Sequence, residues 1–167
     1  MKPFGILIMA GLAFLAGCQR PAEKMVEVSG HLFVFNYRVA TATYLVTLRK
    51  TGPIPDGADV AADFENPMGG APVTFQDRIF PGNDKIVLQS PPMHCIRKDR
   101  PYTVKIRLLM QTGEVLQELS TKVVSDVDQQ KVLPAKPLIA GPLYDRNPDV
   151  FKADGTTDYG KDICPAS

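Results

Sequence analysis

Tryptophan is absent from this chain, and aromatic residues of any kind make up only 8% of it. An aromatic platform for stacking against sugars has little to be built from, so glycoside cleavage by a carboxylate pair is disfavoured. An excess of charge is missing too: 19 Lys and Arg face 18 Asp and Glu, a net charge of +1. No chain-wide field draws in a phosphate backbone, and no nucleic acid partner is expected. Histidine is scarce, with only His31 and His94, so a Ser-His-Asp set has almost nothing to draw on. The chain also lacks a Gly-x-Ser-x-Gly elbow, a Gly-rich phosphate cradle and a Cys-x-x-Cys pair, the local signatures of acyl transfer, nucleotide binding and thiol exchange. The expectation is a protein that is not an enzyme, with no catalytic residue and no cofactor. Long apolar runs are missing as well, since no stretch approaches the 18 or more residues of a membrane-spanning helix.

A shorter apolar run stands at the start. Met1 and Lys2 form a positive head, residues 4–15 (FGILIMAGLAFL) carry no charge, and Leu15-Ala16-Gly17-Cys18 follows at once. Head, apolar core and small residues before a cut are the parts of a secretory signal peptide. The last four residues resemble the lipobox of bacterial lipoproteins. The resemblance implies that the Cys18 thiol receives a diacylglycerol, that residues 1–17 are removed, and that the new amine is acylated. Two or three long acyl chains hold a protein far more firmly than one. Gln19 follows the cysteine instead of Asp, which by resemblance to lipoproteins of Gram-negative bacteria implies the inner leaflet of the outer membrane, facing the periplasm. Loss of residues 1–17 leaves 18 positive and 18 negative side chains. Residues 18–24 then read as a lipidated tether, polar and containing Pro21.

With Cys18 acylated, Cys95 and Cys164 remain in a compartment where disulfides persist. Two cysteines allow one intramolecular bridge. Cys95 lies among Pro91, Pro92 and Pro101, and Cys164 close to the C-terminus, so the bridge ties a loop to a tail. Closing a loop of this size stabilises by roughly 4 kcal/mol in the chain-entropy model.

From residue 25 the dominant hydrophobic period is two, punctuated by Gly and Pro. The clearest strand covers 102–110, where Tyr102, Val104, Ile106, Leu108 and Met110 alternate with Thr103, Lys105 and Arg107. Tyr44, Val46 and Leu48 repeat the pattern, as do Val60, Ala62 and Phe64. Further strands are expected over 25–36, 73–80, 84–89 and 114–124, the last also compatible with a helical face through Leu116, Leu119 and Val123. Residues 81–84 and 111–114 read as hairpin turns. About seven strands, with Tyr102 opening the penultimate one, resemble the immunoglobulin/fibronectin type III sandwich, whose corner tyrosine stands near the start of strand F. The resemblance covers residues 25–124 and implies an all-β, immunoglobulin-like β-sandwich. Val104 stands where antibody-type domains place a Cys, and their core Trp is missing. A lipocalin-like barrel would need eight longer strands.

Residues 125–167 hold Pro134, Pro137, Pro142, Pro148 and Pro165 and read as an extended C-terminal tail packed on the domain, with one or two helical turns over 126–133. Asp149, Asp154, Asp158 and Asp162 lack the Gly and Glu register of a calcium loop and read as turn residues. Met93 and His94 set a thioether beside an imidazole, ligand types that suit copper, but nothing in the spacing supports them. Residues 64–72, with Pro67, Gly69, Gly70 and Pro72, read as a turn between sheets, with a binding loop as the functional alternative. The function expected is therefore a non-catalytic, lipid-anchored envelope protein that binds a partner protein or supports an assembly through a sheet edge or loop. The alternative is a periplasmic metal or small-solute binder using Met93 and His94.

Overall fold

The computed structural model describes residues 24–161, 164 and 165. The expected signal peptide, the expected lipidation site Cys18, the expected tether up to residue 23, and Asp162 lie outside the described residues.

Period-two patterning becomes two antiparallel sheets. β1 (Val26–Asn36), β2 (Thr41–Lys50) and β5 (Lys85–Gln89) form one, in the order β1-β2-β5. β3 (Asp59–Phe64), β4 (Val73–Arg78), β6 (Pro101–Leu109) and β7 (Val115–Val124) form the other, in the order β4-β3-β6-β7. The alternating residues face one another across a shared core: Tyr44, Val46 and Leu48 from β2 and Leu88 from β5 meet Phe64, Tyr102, Val104, Ile106 and Leu108. Fully burying side chains of this size stabilises by about 1.5–3 kcal/mol each. The protein is an all-β sandwich of the immunoglobulin-like kind, with seven strands in its two main sheets. Its fourth strand pairs with the third, not the fifth, so it lies in the sheet opposite the one that strand D occupies in a constant-type domain.

Local chemistry fixes the joints. Gly113 takes φ +88° and its N–H donates to the Met110 carbonyl at 2.8 Å, which turns β6 back onto β7 and settles residues 115–124 as strand. Tyr102 accepts a hydrogen bond at its hydroxyl from the Arg97 N–H at 2.8 Å, the upstream tie expected of a corner tyrosine. Two expectations need correction. Residues 81–84 form a turn but no hairpin, because β4 pairs with β3 and β5 with β2; the chain crosses there from one sheet to the other. Residues 64–72 join β3 to β4 within one sheet, with Phe64 opposite Val73, so this segment is not a turn between sheets.

The tail is less extended than its prolines imply. α1 (Gln129–Val132) is a single turn, and β8 (Ile139–Ala140) pairs with β9 (Asp145–Arg146). Asn147 organises the fold-back: its amide donates to the Pro137 carbonyl at 2.7 Å and its Oδ1 accepts from the Asp149 N–H at 3.0 Å. The tail reaches the sandwich through Leu133, which joins the core, and through the Leu138 N–H on the Arg38 carbonyl at 2.8 Å. No helix among the described residues is long and apolar enough to cross a membrane.

Candidate interaction surface

The two sheets differ in how far charge extends over their outer faces. On the four-stranded sheet the outward rows place Asp63 beside Lys105, and Arg107 beside Glu118. Arg107 donates to Asp63 at 2.8 Å, Thr74 donates to the same carboxylate at 2.8 Å, and Arg78 lies 3.6 Å from Asp59. This face is solvated and cross-linked by charge. The three-stranded sheet turns Leu32, Val34, Thr41, Thr43, Leu45, Thr47, Val87 and Gln89 outward, in register across β1, β2 and β5. None of these eight side chains is charged, and Thr43 is covered; at the other end of the same rows stand Glu27, Arg49 and Lys85, with Arg49 paired to Glu27. Leu32, Val34 and Val87 are 50%, 40% and 53% exposed. Isolated exposed apolar residues are ordinary on a protein surface, but contiguous ones mark contact sites.

Among the described residues β1 is also an edge, paired only with β2. Its first residues are covered: the Gln117 side chain accepts from the N–H groups of Met25 at 2.7 Å and Val26 at 3.1 Å and donates to the Val26 carbonyl at 2.8 Å. A bulge follows, where the register shifts between Val28 and Gly30. Beyond it, residues 31–36 (HLFVFN) carry neither Lys, Arg, Asp, Glu nor Pro, the usual means of blunting an edge. Phe33 and Phe35 turn inward, Phe33 lying 4.5 Å between ring centroids from Tyr44 and 5.7 Å from Tyr102. The edge is thus clamped from inside and open outside, a template for an added strand.

The other candidates separate. Met93 is 3% exposed, bridged to Ala42 and part of the core, whereas His94 is exposed; burial commits the thioether to packing and the pair converges on no common point. No group of three or more His, Cys, Asp or Glu able to hold a metal occurs among the described residues. Cys95 and Cys164 are bonded, their Cα atoms 5.5 Å apart, within the usual range for a disulfide. An open cleft of about 700 Å³ runs beside them, lined by Arg97, Asp128, Lys131 and Lys161. Its charges are largely engaged, Arg97 donating to the Pro165 carbonyl and Lys131 lying 3.1 Å from Asp128. Asp154 and Asp158 are turn residues: bonds from the Thr156 hydroxyl and from Lys136, respectively, hold their carboxyls below the ordinary range. In the 64–72 loop the Asn66 side chain accepts from the Met68 N–H at 3.0 Å, and Gly69 and Gly70 take φ +86° and +83°, leaving Met68 exposed at the tip.

The β1 edge was not singled out from the sequence. Its signal was the uncharged run 28–36, which acquires meaning only once β1 is known to have one neighbour. Comparison with protein-family models and with curated proteins finds no match to this chain.

Proposed function

We propose that this chain is a non-catalytic, lipid-anchored envelope protein that binds a partner protein through the β1 edge and the uncharged part of the face beside it. The anchor is acylated Cys18, in the inner leaflet of the outer membrane, and the sandwich faces the periplasm. One observation carries the binding half of this reading: an unblunted edge strand adjoins exposed Leu32, Val34 and Val87, while the opposite sheet is covered with ion pairs. An extended partner segment adding to β1 would gain main-chain hydrogen bonds for affinity and side-chain contacts with this face for specificity.

The anchor is checked by fatty-acid labelling in cells: the wild type takes up label and sediments with membranes, and Cys18→Ser does neither. Label retained by Cys18→Ser sinks the anchor. For the binding face, a photo-crosslinking residue at position 32 gives a discrete adduct in cells, and the same residue at position 118, on the charged sheet, gives none. Equal adducts from the two positions remove the assignment to β1.

A further inference from the structure

We propose that the pole of the sandwich carrying Phe80 docks on the phospholipid surface, so that the tethered protein stands upright with its tail and disulfide pointing away. The proposal rests on the lipid anchor at Cys18. Five residues, 19–23, separate that cysteine from Lys24, where the described chain begins, and the six peptide links between the two span at most about 20 Å. Whatever pole Lys24 occupies is held within that distance of the bilayer.

That pole is defined by contacts. Thr51 donates through its hydroxyl to the Lys24 carbonyl at 2.6 Å and through its N–H to the Met25 carbonyl at 2.8 Å. The neighbouring residue, Lys50, extends its ammonium to the carbonyls of Phe80 at 3.1 Å and Pro81 at 3.0 Å. Asn83 closes the same turn by donating to the Phe80 carbonyl at 3.2 Å. Phe80 therefore sits two short links from the chain's point of entry, on a turn fixed from both sides, with its side chain 58% exposed. Val115, also exposed, opens β7 at the same end. This pole carries charges of both signs, among them Lys24, Lys50, Arg78 and Lys85 with Asp59, Asp77, Asp84 and Glu114. The contact is accordingly apolar, a ring entering the boundary between headgroups and acyl chains, and indifferent to lipid charge. One phenylalanine binds too weakly to hold a free protein, but a short tether converts the contact into an intramolecular one at millimolar effective concentration. The 64–72 loop, at the far end of the nine-residue β6, stands about 30 Å further out.

The absence of tryptophan makes the test direct. Full-length, lipidated Phe80→Trp and Met68→Trp proteins each carry a single indole. They are incorporated into phosphatidylcholine vesicles with plain or brominated acyl chains. Bromine should lower Phe80→Trp emission at least twofold and leave Met68→Trp unchanged, with the same result when anionic phosphatidylglycerol is added. Phe80→Trp quenched no more than Met68→Trp overturns the docking while leaving the anchor intact. Protein that fails to float with the vesicles overturns the anchor, and the docking with it.

Discussion

Gln129 carries a polar side chain into the core with 1% of its surface exposed, and its bonds show what it does there. Its Oε1 accepts from the Ile96 N–H at 3.1 Å, its Nε2 donates to the Met93 carbonyl at 3.1 Å, and its own N–H reaches the Ile96 carbonyl at 2.9 Å. One side chain thus stands in for a missing strand along residues 93–96. It does so around Cys95, which is held at φ +65°, a conformation uncommon outside glycine. Gln129→Ala leaves two buried backbone groups without partners, each costing about 1–3 kcal/mol; chemical unfolding should show a loss of roughly 2–4 kcal/mol, and a loss below 1 kcal/mol would mean that water replaces the amide. Tyr44 makes a second residue-level case. Its ring is fully buried and its hydroxyl donates to the Glu65 carbonyl at 2.7 Å. Burial first, then the nearby Glu65 carboxylate, pushes its pKa far above the ordinary tyrosine value. The folded protein holds a proton that the unfolded chain releases near pH 10, so this contribution is complete below that pH and declines above it, by about 1.4 kcal/mol per pH unit. Thermal melts between pH 8 and 11 should show a steeper decline for the wild type than for Tyr44→Phe, which is less stable at neutral pH by about 1 kcal/mol. Parallel declines would refute the assignment.

Among the elements, the C-terminal segment depends most on ties other than burial. Its proline content and few large apolar residues made the disulfide the expected reason for its order, and the Cys95–Cys164 bond is present. The structure adds ties that sequence did not disclose: Gln129, Leu133 in the core, Leu138 on Arg38, and the Asn147 fold-back. These are single contacts between residues distant in sequence, and no periodicity announces them. Cys95→Ala and Cys164→Ala should each lower stability by up to roughly 4 kcal/mol, with the double variant no worse than either, because all three lose one bond. Hydrogen exchange should rise over residues 150–161 and stay slow at 129–133. Uniform acceleration would assign the whole segment's order to the disulfide. The strands were far more legible, since alternation in Tyr102, Val104, Ile106 and Leu108 writes burial directly into the chain. Turns were legible only in part. Gly113 and Gly82 both signal a reversal, yet the first returns β6 to β7 and the second sends the chain across the core. Turn residues fix a local bend, and the sheet that the next strand joins is decided by packing.

For the whole molecule, what matters is which edges and faces remain open, a property of topology that no single strand encodes. β1, β5, β4 and β7 are all edges, and they differ in protection. β4 ends in Asp77 and Arg78, β7 carries Glu118 and Lys122, and β5 opens with Lys85. Only β1 runs uncharged past its bulge, from residue 30 to residue 36. If that edge is a binding edge, a single charge there should abolish contact without harming the fold. Val34→Lys tests this. Val34 faces outward opposite Thr43 and is partly exposed, so a lysine reaches solvent and stability should change by less than about 0.5 kcal/mol. The same lysine sets a charge on the template and opposes strand addition. The adduct from a crosslinker at position 32 should therefore vanish in Val34→Lys at an unchanged melting temperature, and Lys122→Val on the opposite sheet should leave it intact. If the adduct survives Val34→Lys, the partner is not held by this edge. If it is lost together with several degrees of melting temperature, Val34 matters to the sandwich itself, and the open appearance of β1 reflects tolerance of exposure and not a place kept for another chain.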